Sequence, residues 1–278
     1  MRATQEEKAE RFRALHERPG AFVIPNPWDA GTARILASLG FEALTTTSAG
    51  LAHSLGRPDG AGVVTRAEAL ANARAIVDAT ELPVAADLEN GYGHRPEDAA
   101  GTIRLAAEEA GLVGASIEDA SGDPRQPLYD FAHAVERIAA AVEAARALPF
   151  PFVLVARAEN FVQGRPDLQD TLRRLQAFEA AGADALFAPG ITSPEDIRTL
   201  CAALEKPVNV VMGLRGSTLS VAELAALGVR RISVGSALSR AALGACLRAA
   251  REIRERGTFT FAQDALPYAE VNDLMAGG

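Results

Sequence analysis

Four stretches of the chain share one phrase: ASLGFEALTT (residues 37–46), EEAGLVGASIE (108–118), EAAGADALFA (179–188) and AALGVRRISV (225–234). In each, a segment of helical composition runs into a glycine and then into a short apolar run. Gly40, Gly111, Gly182 and Gly228 therefore read as residues that end a helix in the left-handed conformation, where a Cβ is penalised. Four such joints at matching places predict an internal repeat of strand and helix.

Working outward from these joints, strand candidates fall at 21–25, 43–47, 83–88, 114–118, 152–157, 183–188, 208–212 and 231–235. Helical patterns fill 30–39, 65–79, 96–110, 130–147, 167–181, 194–204, 220–227 and 236–256. Thr65 precedes Arg-Ala-Glu at capping-box spacing, and Ser193 precedes Pro194 at a first helical position. No Gly-x-Gly-x-x-Gly follows the first strand, so the pattern predicts an α/β fold of the (β/α)8 TIM-barrel type, with additional C-terminal helices, rather than an open doubly wound sheet. Residues 1–257 form the expected barrel. Residues 258–278 lie beyond it, with an amphipathic helix signal at 267–276, and are expected to pack on the barrel or on a neighbouring subunit.

The 278 residues are 48% hydrophobic with 24 Gly and 15 Pro, which excludes a disordered or collagen-like chain. A formal charge of −8 without a basic stripe argues against nucleic acid and anionic membrane as partners and favours small-molecule chemistry. Cys201 and Cys246 sit in Ala/Leu-rich helical stretches and lack metal or redox spacing, which fits a reducing, cytoplasmic setting. The N-terminal residues are charged throughout, and no apolar run is long enough for a membrane span.

In a barrel of this kind the active site lies where the strands end. The second strand ends in Thr45-Thr46-Thr47-Ser48 before a long loop with His53, Arg57 and Asp59. The third ends in Asp87-Leu-Glu89-Asn90-Gly-Tyr-Gly93-His94, the fourth in Glu118-Asp119, the fifth in Arg157-Ala-Glu159-Asn160, and the seventh near Asn209 and Met212. Asp59, Asp87, Glu89 and Glu118 would converge on one mouth, where like charges repel unless a cation neutralises them. All-oxygen donors favour Mg²⁺ or Mn²⁺, with Asp87 coordinating directly and others through water. Alternatively, Asp87 or Glu89 caps a helix or pairs with an arginine. Arg157, leaving an apolar strand, could clamp a substrate carboxylate or balance Glu118 or Glu159. Ser48 could present its hydroxyl to an oxyanion, or serve only the turn. Lys206 lies before the seventh strand, at the closed end, so a Schiff-base lysine is not expected. His53 and His94 stand unaccompanied.

These residues resemble the isocitrate lyase and phosphoenolpyruvate mutase superfamily along nearly the whole chain. PNPWDAGTARILASLGFEALTTTSAGLAHSLGRPD is similar to the family's first two units, and DLENGYG to its D-x-[DE]-x-G-x-G metal motif. GASIED is similar to its fourth strand, VARAEN to the strand carrying its arginine, and RRISVGSALSRAAL to its eighth unit. The resemblance implies Mg²⁺ on Asp87, with Asp59, Glu89 and Glu118 holding its waters. It implies a small 2-oxo carboxylate substrate, with Thr47, Ser48 and the amides of Ala49 and Gly50 at its oxo or carboxylate group and Arg157 at its other anion. Asn209 is a further expected substrate contact. A homotetramer with C-terminal helices packed on neighbours is also implied. The segment after the fourth strand, DASGDPRQPLYD, lacks the Lys-Arg-Cys-Gly-His of isocitrate and methylisocitrate lyases, and FAPG stands where the mutase has a histidine. The expected activity is therefore a C–C lyase resembling oxaloacetate decarboxylase, acting through a pyruvate enolate, with Glu118 tuning a metal water and water or Tyr129 as proton donor. P–C bond chemistry and a non-catalytic 2-oxo acid binder are the alternatives.

Overall fold

Helices cover the outer face of each strand and the barrel interior takes the other, so the strands are buried on both sides. The computed structural model describes residues 3–60, 62–214 and 217–276. In chain order the elements are α1 (Gln5–Glu17), β1 (Phe22–Ile24), α2 (Ala30–Ser38), β2 (Leu44–Thr45), α3 (Ser48–Ser54), α4 (Arg66–Asp78), β3 (Val84–Asp87), α5 (Pro96–Glu108), β4 (Gly114–Glu118) and α6 (Phe131–Arg146). There follow β5 (Val153–Arg157), α7 (Leu168–Ala180), β6 (Ala185–Phe187), α8 (Pro194–Ala203), β7 (Val208–Val211), α9 (Val221–Ala226), β8 (Arg231–Ser233), α10 (Ala237–Arg256) and α11 (Tyr268–Ala276).

All strand pairs are parallel, in the order β1-β8-β7-β6-β5-β4-β3-β2, which is the (β/α)8 barrel read from the joints. The four joint glycines have φ values of 81°, 71°, 102° and 100°, as a left-handed helix stop requires. The seam between β1 and β2 is closed by the Thr45 amide donating to the Pro25 carbonyl at 3.1 Å. Asn26 spans it: its Nδ2 donates to the Thr46 carbonyl, and its Oδ1 accepts from the amides of Val234 and Gly235, all at 2.9 Å.

Two elements depart from the sequence reading. The loop expected after the second strand begins with α3, capped by Thr47, whose side chain accepts from the Gly50 amide. α1 was not expected as an element, although Thr4 and Glu7 form a capping box at its start. Its Ala9, Phe12 and Leu15 join Ile24, Val113 and Val153 in one buried cluster that plugs the end where the strands begin. Gly114 makes this plug possible, because a Cβ there would lie 2.7 Å from the Phe12 ring and 2.8 Å from the Val153 carbonyl. Gly114→Ala should therefore lose about 1–3 kcal/mol in denaturant unfolding, the usual cost of overpacking.

α10 ends at Gly257, in the left-handed conformation with φ 65°. α11 then lies against α2, its Met275 sulfur within reach of the face opened by Gly31. Among the described residues, no helix is long and apolar enough to cross a membrane.

Candidate active site

Asp87, Glu118 and Arg157 are the last residues of β3, β4 and β5, and alternation along the strands turns all three into the barrel mouth. Glu118 and Arg157 are register partners on adjacent strands. The Arg157 guanidinium distributes its donors over three carboxylates: Nη1 to Asp87 at 2.7 Å, Nη2 to Glu118 at 3.1 Å and Nε to Glu159 at 2.8 Å. Only 13% of its side chain is exposed, and its face rests 5.2 Å from the centre of the Phe187 ring. Burial disfavours its charge, but Glu159, Asp87 and Glu118 more than offset that and hold its pKa well above the ordinary arginine value. The sequence left open whether Arg157 meets substrate or balances Glu118 or Glu159; without ligand it balances both, and Asp87 as well.

Ser48 belongs to the same cluster. Its hydroxyl and its amide both donate to Asp87 Oδ2, at 2.9 and 3.3 Å. Thr47 is buried and its hydroxyl is taken up in capping α3 by the Gly50 amide at 3.3 Å, so neither group faces the mouth freely. Ala49, half-buried, follows Ser48 in the first turn.

The motif after β3 is folded under strain. Glu89 and Tyr92 adopt φ of 47° and 60°, a region that costs a non-glycine residue about 1–3 kcal/mol. Local bonds hold it: the Glu89 amide donates to Asp87 Oδ1, the Tyr92 amide to Asn90 Oδ1, and the Gly91 amide to the Leu88 carbonyl. The result keeps Glu89 beside Asp87. Burial first, then Asp87 and Asp59, pushes its carboxyl up to about 7. Asp59, on the loop between α3 and α4, is also raised by burial and by Asp87, and burial raises Glu118 against the pull of Arg157.

Asp87, Glu118 and Glu159 thus share the Arg157 guanidinium, with Glu89 and Asp59 close by, a crowding of carboxylates that a divalent cation would relieve. Among the described residues no three His, Cys, Asp or Glu side chains are grouped closely enough to chelate one ion together. The carboxylates at the mouth are all-oxygen donors, a set that fits Mg²⁺ held by one of them and reached by the others through water.

Tyr129 and Asn209 are placed differently from the sequence reading. The Tyr129 hydroxyl is bound to His94 Nδ1 at 2.8 Å and Asn90 Nδ2 at 3.2 Å, with Arg137 stacked 4.4 Å from its ring centre. Only 7% of the residue is exposed, and its hydroxyl is held by two residues that border the cavity above the carboxylates. Asn209 is sealed inside the barrel, 1% exposed, with Nδ2 on Ser233 Oγ at 3.0 Å. It presents nothing to solvent at the mouth. Neither burial is visible in a linear pattern. His53 stays near Asp59, and Arg57 is occupied by Glu68 at 2.9 Å.

Above the carboxylates lies a cavity of about 1030 Å³ bordered by Glu89, Glu118, Tyr92, His94 and residues 120–124. Residues 119–130 form a short hairpin over it: the Tyr129 amide donates to Asp119, the Ser121 amide to Pro127, and Ala120 bridges Leu128. Glu159 and Asp119 were not among the candidate site residues, yet the Glu159 amide donates to Asp119 Oδ1 at 2.8 Å and joins this hairpin to Arg157. The sequence offered Glu159 as a possible counter-charge to Arg157, and gave no sign of its amide's bond to Asp119.

A parallel barrel that gathers polar side chains at the ends of its strands, beneath a hairpin, has the arrangement in which barrel enzymes hold their active sites. The chain belongs to the phosphoenolpyruvate phosphomutase family, whose sequence profile matches residues 12–254. Members of this superfamily are metal-dependent lyases, mutases or hydrolases acting on C–C or P–C bonds. A structure from Burkholderia cenocepacia J2315, carrying the provisional description lyase/mutase, is 61% identical and superposes with a TM-score of 0.95, covering 98% of this chain and 96% of the other. Oxaloacetate decarboxylase of Chromohalobacter salexigens is 33% identical over 87% of this chain and 85% of that protein. A phosphonopyruvate hydrolase solved with oxalate and Mg²⁺ is 26% identical, with a TM-score of 0.86 and coverage of 99% and 95%.

Proposed function

We propose that the protein is a Mg²⁺-dependent lyase, Mn²⁺ substituting, that cleaves a C–C bond of a small 2-oxo or 2-hydroxy dicarboxylate, oxaloacetate being the leading substrate. The observation that carries this reading is the three-way fork of Arg157 among Asp87, Glu118 and Glu159, a fixed cation set within an excess of carboxylate. Likeness to an oxaloacetate decarboxylase supports the choice of substrate.

Asp87 would hold the metal, with Asp59, Glu89 and Glu118 on its waters, and the ion would supply Lewis acidity at the 2-oxo acid. Ser48, released from Asp87, would donate to the substrate oxo or carboxylate oxygen together with the Ala49 amide. Arg157 would turn part of its fork to the distal carboxylate, keeping Glu159 as its anchor. In this geometry the C3–C4 bond breaks, CO₂ leaves, and the electron pair stays on a pyruvate enolate that a cavity water protonates. Positioned donors contribute because they meet charge that grows in the transition state.

The test is pyruvate release over a panel of oxaloacetate, phosphonopyruvate, isocitrate, 2-methylisocitrate and alkylated malates, with Mg²⁺ or EDTA. Metal-dependent turnover of oxaloacetate is expected. Turnover of phosphonopyruvate alone would replace the reading with P–C chemistry, and oxalate binding without any turnover would replace it with a non-catalytic binder. We further propose that the protein works in the cytoplasm as a homotetramer. α10 and the segment after it expose Leu243, Leu247, Phe259, Leu266 and Tyr268, an apolar face that a second copy would cover. Light scattering should give four times the chain mass, and Leu243→Lys with Leu247→Lys should lower it.

A further inference from the structure

Arg174, in α7, lies far from the carboxylate cluster in sequence and looks like one more charge on a helix surface. It is instead 7% exposed. Its Nη1 donates to Asp119 Oδ2 at 3.1 Å and to the Tyr129 carbonyl at 3.0 Å, which are the two ends of the hairpin lid. Its Nε is fixed by Asp170 at 2.8 Å, and Asp170 is further held by Asn160 Nδ2 at 2.9 Å and Arg173 at 2.7 Å. One rigid guanidinium thus ties both feet of the lid to α7.

The same feet lead to the substrate arginine. Asp119 accepts from Arg174 on Oδ2 and from the Glu159 amide on Oδ1, and the Glu159 carboxylate holds Arg157 Nε. Asp119 is buried with its charge compensated on both oxygens, so losing either donor leaves an uncompensated buried carboxylate.

We propose that Arg174 is a positioning residue that clamps the root of the 119–130 lid, confines lid movement to the tip at 122–126, and keeps Glu159 in register with Arg157. A planar fork can bond Asp119, Tyr129 and Asp170 together, whereas a lysine ammonium at that depth can satisfy only part of the set. The catalytic part of this inference rests on the proposed lyase reading; the clamp itself does not.

The test is amide hydrogen exchange of the substrate-free protein, in wild type, Arg174→Met, Arg174→Lys and Asp119→Asn, together with steady-state kinetics on whichever panel substrate turns over. The Ser121 and Tyr129 amides, which close the hairpin, should exchange about tenfold or more faster in Arg174→Met, as loss of a charge-assisted hydrogen bond implies. Arg174→Lys should restore part of the protection. Asp119→Asn, which removes the charge facing Arg174 and keeps one oxygen for the Glu159 amide, should reproduce the loosening if Arg174→Met does not fold. Root amides that exchange at the wild-type rate in every folded variant would overturn the clamp. With a working substrate, kcat should fall in Arg174→Met by more than KM rises, because closure and not initial capture is damaged. Absence of turnover in wild type would count against the lyase reading and leave the exchange result standing.

Discussion

Asp87→Ala should remove metal-stimulated turnover, a loss of about 10³-fold or more, while leaving the protein folded. Asp87 is where the Ser48 hydroxyl and amide and Arg157 Nη1 converge, so its carboxylate positions both groups proposed to meet substrate, beside its proposed part in holding the cation. Stability should change little, because Asp87 adds to the repulsion that raises Glu89 and Asp59, and Arg157 keeps Glu118 and Glu159. Mg²⁺ should raise the melting temperature of wild type by mass action on the folded state and leave Asp87→Ala unmoved. Calorimetry with and without Mg²⁺, beside the pyruvate assay, checks both statements. An Asp87→Ala protein that still gains activity and stability from Mg²⁺ would falsify the ligand assignment.

Acidification should destabilise the barrel through His16 well before most carboxylates titrate. His16 is buried on α1, with Nδ1 at 2.8 Å from the Phe12 carbonyl and its ring edge-on to Phe12 and Phe22. That bond makes Nδ1 the protonated nitrogen, and Nε2 is sealed with no hydrogen-bond partner among the described residues. Burial first, then Arg231 and Arg230, lowers its pKa to about 3. Below pH 6.5 the unfolded chain therefore binds a proton that the native state refuses. The stability this neutral histidine confers is complete above pH 6.5 and is lost as pH falls towards 3, at about 1.4 kcal/mol per pH unit. Between pH 7 and 5 the loss should be about 2 kcal/mol. Glu89, raised to about 7, acts in the opposite sense, since its proton favours the folded state as pH falls through that range. Comparison with His16→Gln cancels this contribution, because Glu89 is common to both proteins. Urea midpoints measured at pH 7 and 5 should fall clearly less in the variant, and equal falls would refute the account.

The barrel was legible because its signals are local. A glycine after a helical run and a polar residue at the end of an apolar strand keep their meaning whatever surrounds them, which is why Asp87, Glu118 and Arg157 could be named before the fold was known. Ser48 was legible for the same reason, as the first hydroxyl beyond a strand of threonines. Roles that depend on burial were not. Asn209 lies in a strand at the barrel's polar end, yet packing against Ser233 seals its side chain inside the barrel, and the partners of Tyr129, His94 and Asn90, come from a loop far away in sequence. Arg174 and Asp170 have the i, i+4 spacing of an ordinary surface pair, and only the placement of α7 beside the lid makes the arginine buried. α1 carried its own capping box, but its purpose lies in contacts with strands more than a hundred residues away.

That last separation bears on how the chain is made. α1 leaves the ribosome before the segments it seats against: its Gln5 side chain must bond the carbonyls of Ala107 and Leu112, and the carbonyls at its end, Glu17 and Arg18, await Arg230. Almost the whole polypeptide has to be synthesised before the helix finds its final seat. Until then the apolar face of Phe12 and Leu15 lacks its cover, so newly made chains should depend on chaperone capture more than refolding from denaturant at low concentration would suggest.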